Sequence, residues 1–149
     1  MTTPTGETLM YDAVEAIYNV VELSDIHIDE LLSDLRLTRP LSDVVWVLDP
    51  LLPAITMSAL AQKLRCEPST ATFLIDKLVE KGLVQRGSDA KDRRKTTVAL
   101  TPTGISVRER QVLAMMTGSP LAKLTPDELR TLVELLEKAL AGSPKKYRM

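Results

Sequence analysis

Three hydroxyls, Ser69, Thr70 and Thr72, fall within four residues, and Arg93, Arg94 and Lys95 follow later as an unbroken cationic run. Hydroxyls bond phosphate oxygens and base edges, while guanidinium and ammonium groups neutralise phosphates, so these types together suit a nucleic acid. Between residues 77 and 95 seven basic side chains (Lys77, Lys81, Arg86, Lys91, Arg93, Arg94, Lys95) stand against three acidic ones (Glu80, Asp89, Asp92), a local net charge of +4. A charge run by itself is ordinarily a solvated face. What gives this one another meaning is its place in the chain, directly after the hydroxyls.

Other chemistry is poorly provided for. The chain has one His, His27, and one Cys, Cys66. It shows no metal-ligand spacing, no glycine-rich phosphate loop and no Ser, His and Asp arrangement, so neither an enzyme nor a bound metal or cofactor is expected. His27 lies among Asp25, Asp29 and Glu30, where an ordinary surface imidazole is the favoured reading and a weak metal or pH-sensing site the lesser alternative. Cys66 stands beside Arg65 just before a helix start, a placing that favours oxidation of an exposed thiol. The competing reading is a small apolar residue filling a turn.

The hydroxyls need a helix, and the sequence supplies one. It starts at Glu67-Pro68-Ser69-Thr70, where Pro suits the first helical position because its missing N–H would be unpaired there in any case. Ala71, Leu74, Ile75, Leu78 and Val79 then recur as one buried stripe. At about 100° per residue this turns Ser69, Phe73, Asp76, Lys77 and Glu80 outward, with Thr70 and Thr72 on the shoulders. Gly82 ends the helix. A shorter helix precedes it, with Thr56 as N-cap and Leu60, Ala61 and Leu64 at core spacing. Only Arg65, Cys66 and Glu67 separate the two, so they must cross steeply, as in a helix-turn-helix.

After Gly82 the period changes. Residues 83–86 read as a short strand, 87–94 as a charged turn and 95–100 as a second strand, together a hairpin with a cationic tip. A helix with small hydroxyls at its N-terminal end fits a major groove about 12 Å wide. An Arg on the neighbouring hairpin can enter the narrower minor groove, and Asp92 can hold Arg94 extended until it does.

Taken in order, Ser58-Ala59-Leu60-Ala61-Gln62-Lys63-Leu64, Ser69-Thr70-Ala71-Thr72, Leu78-Val79-Glu80-Lys81-Gly82-Leu83-Val84, Asp92-Arg93-Arg94 and Leu100-Thr101-Pro102-Thr103-Gly104 resemble the MarR family of bacterial transcriptional regulators. The most specific part is the Asp-x-Arg of the wing followed by the Leu-Thr-x-x-Gly that opens the next helix. The resemblance implies a homodimeric winged-helix protein that binds a palindromic operator and is released or tuned by a small ligand or an oxidant. It matches Ser69, Thr70 and Thr72 to the family's recognition-helix contacts, Arg94 to its wing arginine and Asp92 to that arginine's partner. One position departs from the pattern: Phe73 stands where family members often carry Arg. It can meet a thymine methyl or cover a neighbouring helix. Oxidant-sensing members generally use a Cys in the first helix, where this chain has none.

At 149 residues with 44% hydrophobic side chains, the chain is sized for one α-rich protomer, and only 3% aromatic residues argue against stacking on single strands. No apolar run of membrane-spanning length is present, and the start lacks a basic region followed by an apolar one, so the cytoplasm is the expected location. The net charge of −1 hides a division: residues 1–60 hold ten acidic and two basic side chains, and residues 61–149 ten acidic and seventeen basic. Phosphate would repel the first part and attract the second.

Both ends read as long helices. Residues 7–37 contain no Gly or Pro and carry an apolar face, with Ser24-Asp25-Ile26-His27 as a candidate interruption. Thr125-Pro126-Asp127-Glu128 is a capping box, followed by a stripe of Leu129, Leu132, Val133, Leu135, Leu136 and Leu140. A second copy of the chain is the natural cover for that surface, intramolecular packing being the alternative. Shorter helices are expected near 41–48 and 102–116, with Gly118-Ser119-Pro120 as a link and a mobile basic tail from 143 to 149.

The expected fold is mainly α with a small β-hairpin wing: an N-terminal dimerisation helix (1–37), a winged helix-turn-helix (38–104) and C-terminal dimerisation helices (105–149). The expected DNA contacts are Ser69, Thr70, Thr72, Phe73, Lys77, Arg93, Arg94 and Lys95, with Asp92 supporting the wing. The partners are double-stranded DNA, a second copy and, through the family resemblance, a small-molecule effector. Tyr11, Tyr18, Trp46 and Met57 are candidate effector-pocket residues that serve equally as ordinary core. A winged-helix module that binds protein instead of DNA is the alternative.

Overall fold

Thr5 opens the first helix by accepting the Thr8 N–H on its hydroxyl at 3.3 Å, and α1 then runs over Gly6–Leu35. The computed structural model describes residues 5–143. The expected interruption at Ser24 does not occur, because its hydroxyl donates to the Val20 carbonyl at 2.7 Å and stays within the helical turn. Arg36 closes the helix in the left-handed region (φ 52°), which lets the Leu37 N–H reach back to the Leu32 carbonyl. Only the lower part of α1 is buried, through Ser24, Ile28 and Leu32.

α2 (Arg39–Val47) follows, held to α1 where Arg39 sits between Asp25 (3.4 Å) and Asp29 (2.6 Å). Next come β1 (Ile55–Thr56), α3 (Met57–Leu64) and α4 (Pro68–Glu80). Thr56 caps α3 by accepting the Ala59 N–H, and Arg65 turns the chain with a φ of 52° so that the Cys66 N–H bonds the Ala61 carbonyl. That single left-handed residue makes the tight turn between the two helices. Gly82, at φ +71°, ends α4 in the same way, with the Leu83 N–H on the Leu78 carbonyl.

The hairpin is formed by β2 (Val84–Ser88) and β3 (Thr96–Leu100), each displaced slightly from the expected span. Gly87 and Ser88 belong to the ladder rather than the turn: Gly87 faces Thr97, whose hydroxyl leaves little room for a side chain there. β1 adds a third antiparallel strand, Ile55 opposite Val98 and Thr56 opposite Thr97, in the order β1-β3-β2. The sequence gives little sign of a two-residue strand, since its pairing is entirely non-local.

α5 (Pro102–Gly118) starts at Thr101, whose hydroxyl accepts the Gly104 N–H (3.0 Å) and donates to the Gly82 carbonyl (2.6 Å). The Thr101 N–H also bonds the Leu83 carbonyl. These bonds lock the start of α5 onto the end of α4. A 3-10 turn (Pro120–Lys123) leads to α6 (Pro126–Ala139), which begins with the expected capping box of Thr125 and Glu128.

The core gathers the lower end of α1, α2, α3, α4, the sheet and α5, with Val44, Val45, Leu60, Ile75, Leu78 and Val98 fully enclosed. Gln111 of α5 is equally enclosed, and its amide donates to the Ser42 hydroxyl of α2 at 2.5 Å. The upper half of α1 and all of α6 stand outside this core: Leu9, Tyr11, Val14, Ile17, Tyr18, Val133 and Leu135 are exposed, and α6 buries no residue. Among the described residues no helix is long and apolar enough to cross a membrane. The expected mobile tail lies, beyond Ser143, outside the described residues.

Candidate nucleic-acid interface

α4 buries Ala71, Leu74, Ile75 and Leu78 as its spacing requires. Val79, expected in that stripe, is 39% exposed. At about 100° per residue it lies a quarter turn from the centre of the stripe, past the edge of what the core covers. Ser69, Thr70, Thr72, Phe73, Asp76 and Glu80 are all exposed, so the outer face is polar apart from one ring. The Thr72 hydroxyl donates to the Pro68 carbonyl at 3.0 Å, which commits its proton and leaves its lone pairs and methyl facing outward. Glu67 makes no side-chain cap at the start of α4, unlike Thr56 and Thr101 at the starts of α3 and α5. The positive end of the helix is thus offered to an acceptor from outside.

Phe73 does not cover a neighbouring helix. It is 59% exposed, and the Lys77 ammonium lies 5.9 Å from its ring centroid while also bonding Glu80 at 3.2 Å. The ring is therefore held by its own helix, through a cation–π contact.

At the tip of the hairpin a second carboxylate does what the sequence assigned to none. Asp89 Oδ1 accepts the N–H groups of Lys91 (2.7 Å) and Asp92 (3.1 Å), an Asx turn that folds the loop. The amides of Lys91 and then Asp92 hold this carboxyl below its ordinary range. The Asp89 N–H bonds the Lys95 carbonyl and the Lys95 N–H the Asp92 carbonyl, closing the tip. Asp92 Oδ1 in turn accepts from the Arg94 N–H (3.1 Å) and from its Nε (3.2 Å), as the expected pairing requires. Arg94 is fixed at its root yet 92% exposed along its side chain. The Asp-x-Arg spacing is what allows one carboxylate to bind both the backbone and the side chain of the same residue. Arg93 and Lys95 are exposed beside it.

Helix and hairpin are joined by an ion pair that sequence reasoning missed. Arg86 of β2 bonds Asp76 on the outer face of α4. The contact ties β2 of the wing to the outward face of α4, the face that also carries Ser69 and Phe73. Nothing in the order of charges says which of them meet. The nearest available signal was that Asp76 falls on the outward face.

The remaining candidates separate. Trp46 lines a cleft of about 730 Å³ between α1, α2 and α5, together with Asp25, Arg39, Ser42 and Met115. Tyr11 and Tyr18 lie exposed on α1, away from that cleft, and Met57 packs against the core. His27 bonds Glu30 at 3.4 Å and lays its ring over Gly118, where a β-carbon would collide with it. Among the described residues no three His, Cys, Asp or Glu are placed to hold a metal ion. Cys66 is half-buried in the turn between α3 and α4.

A sequence model of the MarR family matches residues 51–96. Over 127 residues the chain is 32% identical to the multiple antibiotic resistance protein MarR of Escherichia coli, covering 83% of this chain and 88% of that protein. It is 28% identical over 88 residues to the HTH-type transcriptional repressor MdtR of Bacillus subtilis, 57% of this chain and 56% of that one. A relative from Thauera aromatica is 32% identical over 88 residues, so the match spans 53% of its length. Among solved structures, a mutant MarR from Escherichia coli complexed with operator DNA is 27% identical with a TM-score of 0.63, over 92% of this chain and 99% of that one. A MarR-family regulator from Silicibacter pomeroyi has the same fold at 23% identity, with a TM-score of 0.71 over 88% of this chain and 89% of that one.

Proposed function

The chain belongs to the MarR family, and from that membership and the surface just described we propose that it is a homodimeric regulator that binds double-stranded DNA at a palindromic operator. The observation that carries the reading is the Asp76–Arg86 pair, which joins an uncapped, hydroxyl-bearing helix to a cationic wing. α4 enters the major groove with Ser69, Thr70, Thr72 and Phe73 toward the bases and Lys77 toward the backbone. The wing carries Arg94, flanked by Arg93 and Lys95, to the adjacent minor groove. The acidic first part of the chain faces away from phosphate.

Dimerisation is supported by the apolar surface that the core leaves open on the upper half of α1 and on α6. A second copy that covers it places two copies of α4 about one helical turn of DNA apart. The regulator acts as a repressor, with no catalytic step, and works in the cytoplasm beside its DNA. A small effector in the cleft lined by Trp46, Asp25 and Arg39 would tune it by biasing how α1 meets α2 and α5.

Selection of bound sequences from a random duplex pool tests the reading. A two-fold palindrome is expected, with affinity falling about a thousand-fold between roughly 50 and 200 mM salt. Negligible duplex affinity at every salt concentration would return the surface to the alternative, a protein-binding module.

A further inference from the structure

The only Phe of the chain is placed where a protein ordinarily avoids one. Phe73 is 59% exposed at the centre of the outer face of α4, opposite the buried Ala71. Its neighbours one turn away are Ser69, Thr70, Asp76 and Lys77, all polar. Val79, the other exposed apolar side chain of α4, lies about a third of a turn around the helix from it, so the two form no continuous patch. A partner protein is ordinarily received by a contiguous apolar area of several hundred Å². A single ring set among hydroxyls and charges suits a surface that is itself polar with isolated apolar points.

The floor of the major groove is such a surface. Its base edges present donors and acceptors, and the apolar group among them is the 5-methyl of thymine. The Lys77 ammonium, 5.9 Å from the ring centroid and bonded to Glu80 at 3.2 Å, limits where the ring can swing. Thr72, with its hydroxyl proton committed to Pro68, presents acceptor lone pairs beside the ring.

Resting on the DNA-binding reading above, we infer that Phe73 is a specificity determinant that reads the 5-methyl group of a pyrimidine, thymine in unmodified DNA, in each half of the operator. Buried methyl-sized groups contribute about 0.8 kcal/mol each, which corresponds to about 4-fold in affinity per half-site and about 15-fold for a symmetric pair.

The test uses the full-length protein and a duplex that the protein itself selects from a random pool. Thymines are replaced pairwise, at symmetric positions, by deoxyuridine, which removes the methyl and keeps the base-pairing edge. One symmetric pair is expected to cost the parent about 15-fold. Phe73→Ala should bind the thymine and uracil duplexes with a ratio near one, and Phe73→Leu should keep part of the discrimination. Circular dichroism checks that both variants fold. Placing cytosine at the sensitive step, with and without a 5-methyl, separates the methyl from the rest of thymine: a gain on methylation supports the contact, and no gain overturns it. A flat uracil scan with tight, salt-dependent duplex binding would overturn this inference and leave the regulator reading intact. Absence of duplex binding would overturn both.

Discussion

A β-carbon built on Gly104 would lie 1.9 Å from the carbonyl oxygen of Leu83, so the start of α5 meets the residue following the α4 stop backbone to backbone. Thr101 bonds across the same junction to Gly82 and Leu83. The Leu-Thr-x-x-Gly motif is therefore a clamp: its Thr caps one helix and ties down the end of another, and its Gly lets them touch.

Gly104→Ala should be costly although Ala is the better helix former. The obstacle is backbone rather than a flexible side chain, so α5 must move away as a unit. A loss of about 3 kcal/mol is expected, lowering Tm by about 9 °C in a thermal melt.

Arg94→Ala should cost about ten-fold or more in operator affinity and reduce the salt slope by about one. Dimer content and helicity should not change, since the side chain is 92% exposed. Fluorescence anisotropy across a salt series, with circular dichroism alongside, reads both.

Arg86→Ala removes a cation and also strips Asp76 of its partner, leaving a bare carboxylate on the face proposed to meet DNA. It should therefore weaken binding more than its own charge warrants. The double variant Asp76→Ala with Arg86→Ala should recover part of the loss, a coupling that a double-mutant cycle measures directly.

The wing tip should come apart on the acid side. The amides of Lys91 and Asp92 hold the Asp89 carboxyl below its ordinary value, so the turn is fully supported above the unfolded value and loses that support as pH falls through the lower folded one. In an NMR titration the amide signals of Lys91 and Asp92 should shift together below the usual carboxylate range. Asp89→Ala should abolish that transition and broaden the tip.

Ile17→Glu or Leu135→Glu should turn the proposed dimer into a monomer, because each side chain is exposed on the surface assigned to the partner. Analytical ultracentrifugation reads the change. Affinity for the full palindrome should fall by about 100-fold while that for a lone half-site stays the same.

Local signals were legible in the sequence wherever one turn of chain carried the whole instruction. Pro68 and Gly82 bracket α4, Thr56, Thr101 and Thr125 cap their helices, and Asp92 finds Arg94 two residues on. What escaped depends on residues far apart. β1 exists because Ile55 meets Val98, the wing is set by Arg86 finding Asp76, and α5 is joined to α2 by Gln111 reaching Ser42. Val79 escaped for another reason: periodicity gives a direction for each side chain but not the width of what will cover it. Asp89 was counted only as a negative charge, although its spacing from the amides of Lys91 and Asp92 is that of an Asx turn.

Rooted at Ser24, Ile28 and Leu32 and open above them, α1 is a lever. From Ser24 to its N-terminal tip it extends about 27 Å, so a rotation of about 10° about the rooted end sweeps the tip through about 5 Å. In the proposed dimer, with two such tips clasped together, the distance between the paired DNA-reading rods would be geared to the seating of three buried side chains.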